Sequence, residues 1–447
     1  MKRSVPILLL VVLVGAAASA QPNWPQHGDL VVAVGGNGGG YTGYPHPVNP
    51  GTLTPLNTIA QAPANCPHLW VRMAPNNSDL VVAGSNRAQQ SDFLLNIRRG
   101  APQARISTLA SLPGVRSYGW ELDEDGWIAA AKSWSTQNPN PNFLLHLSHG
   151  TPPTLTKSPT LFLSVEFREI AIDRDLGLSS PPYVVVISGR WGAGPHPIVL
   201  RADRRGNVTT ILTNPPSSFT RFRCVEVHPR SGDLLLLETG VSGAAGLLRM
   251  DKACTTVTTL LPGLLASALK ITQDDFVWIA ANLSERVLKY DLVKNAVVAT
   301  YPLVVPSAHA LQSIDVYGSR PLYCHKVSAS TVNVNVQSRH PFLVPNQSRY
   351  ALAASFARRP GIQFAHGEWL DLDVTNPLFF VSALGLLPGT FSNFQGNLSV
   401  SNGVGTATAK VNIPAMAQGL KIPIFVAGVI FDQNGVFEVT NAHWFVL

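Results

Sequence analysis

Apolar residues in this chain come in short runs broken by polar turns, not at the three-to-four spacing of an amphipathic helix. Val31-Val32-Ala33-Val34, Leu80-Val81-Val82-Ala83 and Leu234-Leu235-Leu236-Leu237 hardly alternate, as expected of strands covered on both faces. Each run follows a turn ending in Asp-Leu: Gly28-Asp29-Leu30, Ser78-Asp79-Leu80 and Gly232-Asp233-Leu234. A first strand precedes two of these turns (Val71–Ala74 and Val225–His228), and the segments Val71–Leu80 and Val225–Leu234 align throughout. A third strand follows, as in Phe93–Ile97 and Phe143–Leu147, then a Thr- and Leu-rich fourth such as Val208–Leu212 or Thr255–Leu261.

Four antiparallel strands in roughly 40–50 residues are the sequence form of a propeller blade. Second strands begin near residues 30, 80, 127, 184, 234, 276 and 322, which predicts seven blades, with six as the alternative count. Ring closure is expected to use a late strand such as Thr331–Val336. Past residue 340 the pattern changes. Residues 341–361 read as a linker, and strands are expected at Leu370–Val374, Phe379–Leu384, Asn397–Val400, Gly405–Ile413, Ile422–Phe431 and Val436–Val439. Pro388-Gly389, Asn402-Gly403 and Asn434-Gly435 supply the turns between them. The predicted fold is therefore all-β: a β-propeller over residues 21–340 and a C-terminal β-sandwich over 362–447.

Residues 1–20 carry the marks of a signal peptide. Lys2 and Arg3 precede the apolar stretch Pro6–Val14, and Ala18-Ser19-Ala20 offers a cleavage site. A secreted, periplasmic or cell-surface location is expected, with no transmembrane segment in the mature chain. Charged residues make up 13% of the chain, against about 25% in ordinary globular proteins. The excess of 33 basic over 26 acidic residues thus reflects few charges rather than a basic surface, and nucleic acid is excluded as a partner. In an exported chain, Cys66, Cys224, Cys254 and Cys324 can form two disulfides in three ways. Cys66 and Cys324 are the expected pair, both lying near the junction of the first and last blades.

The unit Ile271-Thr272-Gln273-Asp274-Asp275-Phe276-Val277-Trp278-Ile279-Ala280 resembles the blades of NHL-type and YVTN (lactonase-like) bacterial propellers, a resemblance covering about residues 25–335. It implies the fold but not an activity, since such blades host lyases, lactonases and binding proteins alike. Ile422–Asn434 and Val439–Phe445 resemble a C-terminal module of secreted planctomycete- and myxobacterium-like proteins, which implies no catalytic motif.

Two constellations invite chemistry. Aligning the first strands puts Arg72, Glu121, Ala171, Glu226, Lys270 and Asp315 at one position, a charged ring on the propeller axis. It would either hold a polar ligand or a divalent cation such as calcium, or serve as ion pairs between blades. The second constellation is a set of loops after second strands. Gly35–Pro47 carries Tyr41, Tyr44 and His46, Ser188–Pro197 carries Trp191 and His196, and Lys132–Asn142 carries Trp134 among amide side chains. Aromatic rings beside amides suit stacking on saccharides or peptides. No G-x-S-x-G, H-E-x-x-H or Walker sequence is present, and no catalytic residue is assigned. The turn acids Asp123, Glu124, Asp125, Asp274 and Asp275 read as solvated. The reading that results is a binding or scaffold protein for a saccharide, peptide or protein partner, with no resident cofactor. The alternatives are a lactonase- or lyase-like enzyme with an axial cation, and a surface-attached structural protein.

Overall fold

The computed structural model describes the chain outside residues 1–28, 37–43, 49–67, 75–78, 87–89, 99–104, 123–125, 134–140, 149–153, 159–161, 164–165, 174–182, 190–198, 203–207, 213–221, 239–244, 273, 282–285, 303–308, 317 and 366. The fold is all-β, and its first part is a β-propeller. Five antiparallel sheets follow one another in sequence, each with its strands in chain order. They start with the inner strands His68–Met73, Val115–Leu122, Glu166–Asp173, Phe222–Val227 and Ala266–Ile271. A sixth sheet is assembled from both ends of this region. Leu30–Gly36 lies between Tyr44–Val48 and His309–Val316, with Leu30 opposite Val316 and Val32 opposite Ile314. The inner strand His309–Val316 packs beside both His68–Met73 and Ala266–Ile271, which closes the ring.

Among the described residues the blades therefore number six, not the favoured seven. The strand at residue 322 is not a blade strand. Leu322–Ser328 pairs with Thr331–Ser338, which pairs in turn with Val404–Asn412 in the C-terminal unit. The ring is closed by Leu30–Gly36 instead of Thr331–Val336, and the physical reason lies in the pattern. Val332, Val334, Val336 and Ser338 are buried and alternate with partly exposed residues, whereas blade strands such as Leu234–Glu238 are buried throughout. A strand covered on one face suits a sandwich sheet better than the inside of a ring.

The C-terminal unit packs one sheet, built on Thr331–Ser338 and Val404–Asn412, against another built on Arg349–Ser355 and Pro423–Asp432. Val334, Leu352, Val411, Val426 and Phe445 fill the space between them. Arg349–Ser355, expected within a linker, is thus a central strand, its run Tyr350–Ala354 mostly buried. Phe379–Leu384, expected as a strand, lies in the helix Pro377–Ala383 and its cap. Asn376 Oδ1 accepts from the amide of Leu378 at 2.9 Å and Pro377 opens the first turn, start signals that outweigh an apolar run. Of Leu370–Val374 only the pair Trp369–Leu370 is extended, facing Ile362–Gln363.

Candidate axial charge network

The inner strands carry the predicted charges in register. Arg72 stands opposite Val81, Glu121 opposite Ile128, Glu226 opposite Leu235, Lys270 opposite Trp278 and Asp315 opposite Val31. Each is thus paired with the second or third residue of its blade's second strand, and all five are brought to the axis. Arg72 Nε donates to Glu121 Oε2 at 3.3 Å, and its Nη1 donates to Ser313 Oγ at 2.9 Å. Lys270 Nζ donates to Glu226 Oε1 at 3.0 Å and lies 3.7 Å from Glu121 Oε2. Asp315 accepts from the amides of Met73 at 2.8 Å and Val316 at 2.9 Å.

Two members escape the repeat alignment. Arg320 comes from the connection between propeller and sandwich, and its Nη2 donates to Glu121 Oε1 at 2.7 Å. Glu169 belongs to the third blade, where Ala171 holds the aligned position opposite Val185. Two residues earlier on the same strand face, Glu169 brings its Oε1 to 3.9 Å from Arg72 Nη2. Its signal was an acid at the right parity beside an uncharged slot. The bonds now cross every blade, so the network ties the inner strands together as much as it lines a channel.

A shared irregularity shapes this region. Register shifts fall at Gly119, Arg168, Arg223 and Ser267 in four successive inner strands, and between Leu311 and Ser313 in the sixth blade. Such bulges re-aim neighbouring side chains. At Gly119 the bulge adopts φ +57, and a β-carbon there would run into the carboxyl of Glu169.

Burial sets the electrostatics. It pushes the Glu169 carboxyl up to about 7, against the pull of Arg72, and it raises Glu226 against the pull of Lys270. For Arg72, burial favours the neutral form, but Glu121, Glu169, Asp315 and Glu226 outweigh it and hold the guanidinium above its ordinary value. Lys270 is raised in the same way, chiefly by Glu121 and Glu226. The buried thiol of Cys224 is pushed up by burial and by the nearby Glu169 and Glu226. The acids of the axis are thus already engaged by Arg72, Lys270 and Arg320. Among the described residues no group of three or more metal-ligating side chains converges.

The sandwich covers one mouth of the ring, the face carrying the turns between first and second strands. Tyr323 packs among Ala74, Trp120 and Trp127. Arg359 Nη2 donates to the carbonyl of Pro229 at 3.2 Å. Arg230 stacks 4.3 Å over the ring of Trp369 while pairing with Asp275, whose other oxygen lies 3.3 Å from His228 Nε2. Asp275, expected as a solvated turn acid, is buried in this clasp. Burial, with Arg230 and Arg249 close by, holds His228 down at about 4, and burial lowers Arg230 to about 10.

The loop residues are placed differently. Tyr41, Trp134, Trp191 and His196 lie outside the described residues, and Tyr44 and His46 are described only as backbone of Tyr44–Val48. The strand ends bracketing these loops point to the mouth opposite the sandwich. Cys66 also lies outside the described residues. Cys324, expected at a blade junction, sits on Leu322–Ser328 and faces the sandwich core. Cys224 and Cys254 carry free thiols.

No family model and no curated protein matches this chain. Solved structures similar to it include a protein of unknown function from Bacteroides caccae, 12% identical, with a TM-score of 0.43 over 65% of this chain and 98% of that one. TolB from Acinetobacter baumannii is 11% identical, with a TM-score of 0.43 over 64% of this chain and 65% of that one. A glucose dehydrogenase is 13% identical, with a TM-score of 0.39 over 63% and 96%. No residue role is taken from likenesses this distant.

Proposed function

We propose that the chain is an exported binding protein whose propeller face opposite the sandwich holds a saccharide, peptide or protein partner. The observation that carries this reading is the occupation of the other face. The sandwich covers that mouth, and the axis beneath it is filled by mutually paired charges. That leaves the mouth bracketed by the loops of Tyr41, Tyr44, His46, Trp134, Trp191 and His196 as the place for recognition. Loops on a rigid scaffold are where binding residues concentrate. In this reading the axial charges and the sandwich stiffen the ring.

An axial divalent cation, as a lactonase- or lyase-like activity would use, has less support. It would have to displace Arg72, Lys270 or Arg320 from the acids they now engage. Export rests on residues 1–20, and among the described residues no helix is long and apolar enough to cross a membrane. A Cys66–Cys324 disulfide belongs to the same proposal; it would tie the segment before the first blade to the sandwich. Peptide mapping without reductant that found Cys66 linked elsewhere would remove it.

The test is a thermal-shift screen of residues 21–447 against saccharides, peptides and divalent cations. A ligand of the native state at about a hundredfold excess over Kd adds roughly 2.7 kcal/mol. A saccharide or peptide shift abolished by Trp134→Ala or Trp191→Ala is the expected result. A calcium or magnesium shift abolished by Glu226→Gln would overturn it in favour of the axial-cation enzyme.

A further inference from the structure

The seam between propeller and sandwich holds a half-open cavity of about 130 Å³, far more than the ~10–15 Å³ that one ordered water needs. Glu226 and Lys270 line it from the propeller, and Arg358 and Asp371 from the sandwich. Arg358 and Asp371 are 8% and 2% exposed and meet through a single contact, Nη2 to Oδ2 at 2.6 Å. An arginine and a carboxylate that meet through both arms satisfy each other. Here the one-armed contact leaves Arg358 Nε and Asp371 Oδ1 buried with no hydrogen-bond partner in the protein. A donor on a cation and an acceptor on an anion are thus unsatisfied on two residues of the lining. The Lys270 ammonium and the Glu226 carboxylate share that lining. Buried polar atoms of this kind are regularly satisfied by something, and the cavity is the space that both residues adjoin.

We propose that this seam cavity is a binding site for a small zwitterion of amino-acid size. The wall pairs Arg358 with Asp371, Lys270 with Glu226 and Arg320 with Glu121, so it offers neither net charge. A lone anion would meet three carboxylates and a lone cation three basic groups. A zwitterion satisfies both sets, its carboxylate accepting from Arg358 Nε and Lys270 Nζ and its ammonium donating to Asp371 Oδ1 and Glu226. The site is separate from the loops opposite the sandwich, and neither proposal depends on the other.

Isothermal titration and thermal shift of the full chain with glycine and alanine test it. Acetate, methylammonium and glycerol at equal concentration serve as the single-charge and uncharged controls. Glycine or alanine should raise the melting temperature while the three controls do not, and Asp371→Asn should weaken binding at least tenfold. Should Asp371→Asn fail to fold, Val227→Leu, at a half-buried position on the lining of the same cavity, should abolish the shift, with circular dichroism checking that the variant folds. No shift with any amino acid, or an equal shift with glycerol, would overturn the proposal and leave the cavity to water.

Discussion

Gly119 leaves open the space that the carboxyl of Glu169 enters from the next blade. Its backbone at φ +57 is one that a residue with a β-carbon adopts at a cost of about 1 kcal/mol or more. Gly119→Ala should therefore lose about 2 kcal/mol or more in urea denaturation, strain and displacement acting together. In a Glu169→Ala background the clash with the carboxyl disappears, leaving a tight 3.0 Å approach to the Ile170 nitrogen, and the loss should fall towards about 1 kcal/mol. Equal losses in the two backgrounds would mean that these residues are not coupled.

Glu121 is the carboxylate on which Arg72, Lys270 and Arg320 converge. Removing one partner of a buried ion pair costs about 3–5 kcal/mol, because the remaining charge stays buried. Glu121→Ala should show a loss of that order by chemical denaturation. A loss under about 1 kcal/mol would show that the axis does not brace the ring.

Glu438 is 2% exposed in the sandwich, hydrogen-bonded by the Ser338 hydroxyl, and burial pushes it up to about 8. With Glu169 at about 7, the folded chain holds protons that the unfolded chain releases near 4.5. Native stability is therefore greater in acid and falls as pH rises towards 8. His228, held near 4, acts in the opposite sense below its ordinary 6.5, so the clean window is pH 6.5 to 8. The urea midpoint should fall across that window. Glu438→Gln should flatten the fall, and a midpoint that rises instead would reverse the assignment.

Arg230 joins the propeller turn to Trp369 of the sandwich and neutralises the buried Asp275. A desolvated cation–π contact is worth about 2 kcal/mol, and without Arg230 the buried Asp275 carboxylate would face His228. Arg230→Ala should split a single calorimetric transition into two, the sandwich and propeller melting apart. One unchanged transition would place the coupling elsewhere, at Tyr323 or Arg320.

The repeat was legible because identical turns recur. Asp29, Asp79 and Asp233 each introduce a second strand, and the charged slot could be read at five of its six positions. Glu169 was missed because the alignment follows sequence register, whereas the bulge at Arg168 and the space at Gly119 are three-dimensional. The seventh blade was read from the strand near residue 322, which pairs with Thr331–Ser338, and the alternation of that partner already distinguished it from blade strands. Which face the sandwich covers could not be read at all. It depends on contacts such as Arg359 to Pro229, between residues with no shared pattern.

The sixth blade has a consequence for how the chain reaches its fold. Leu30 pairs with Val316, so the first blade strand to leave the ribosome waits for nearly the last. Until His309–Val316 is made, Leu30–Gly36 offers an unpaired edge, and the neighbouring blades lack their lateral cover. Contacts this distant in sequence make for slow folding. The sandwich follows directly after the closing strand, so its docking comes as the last step and holds shut a ring that has only just been completed.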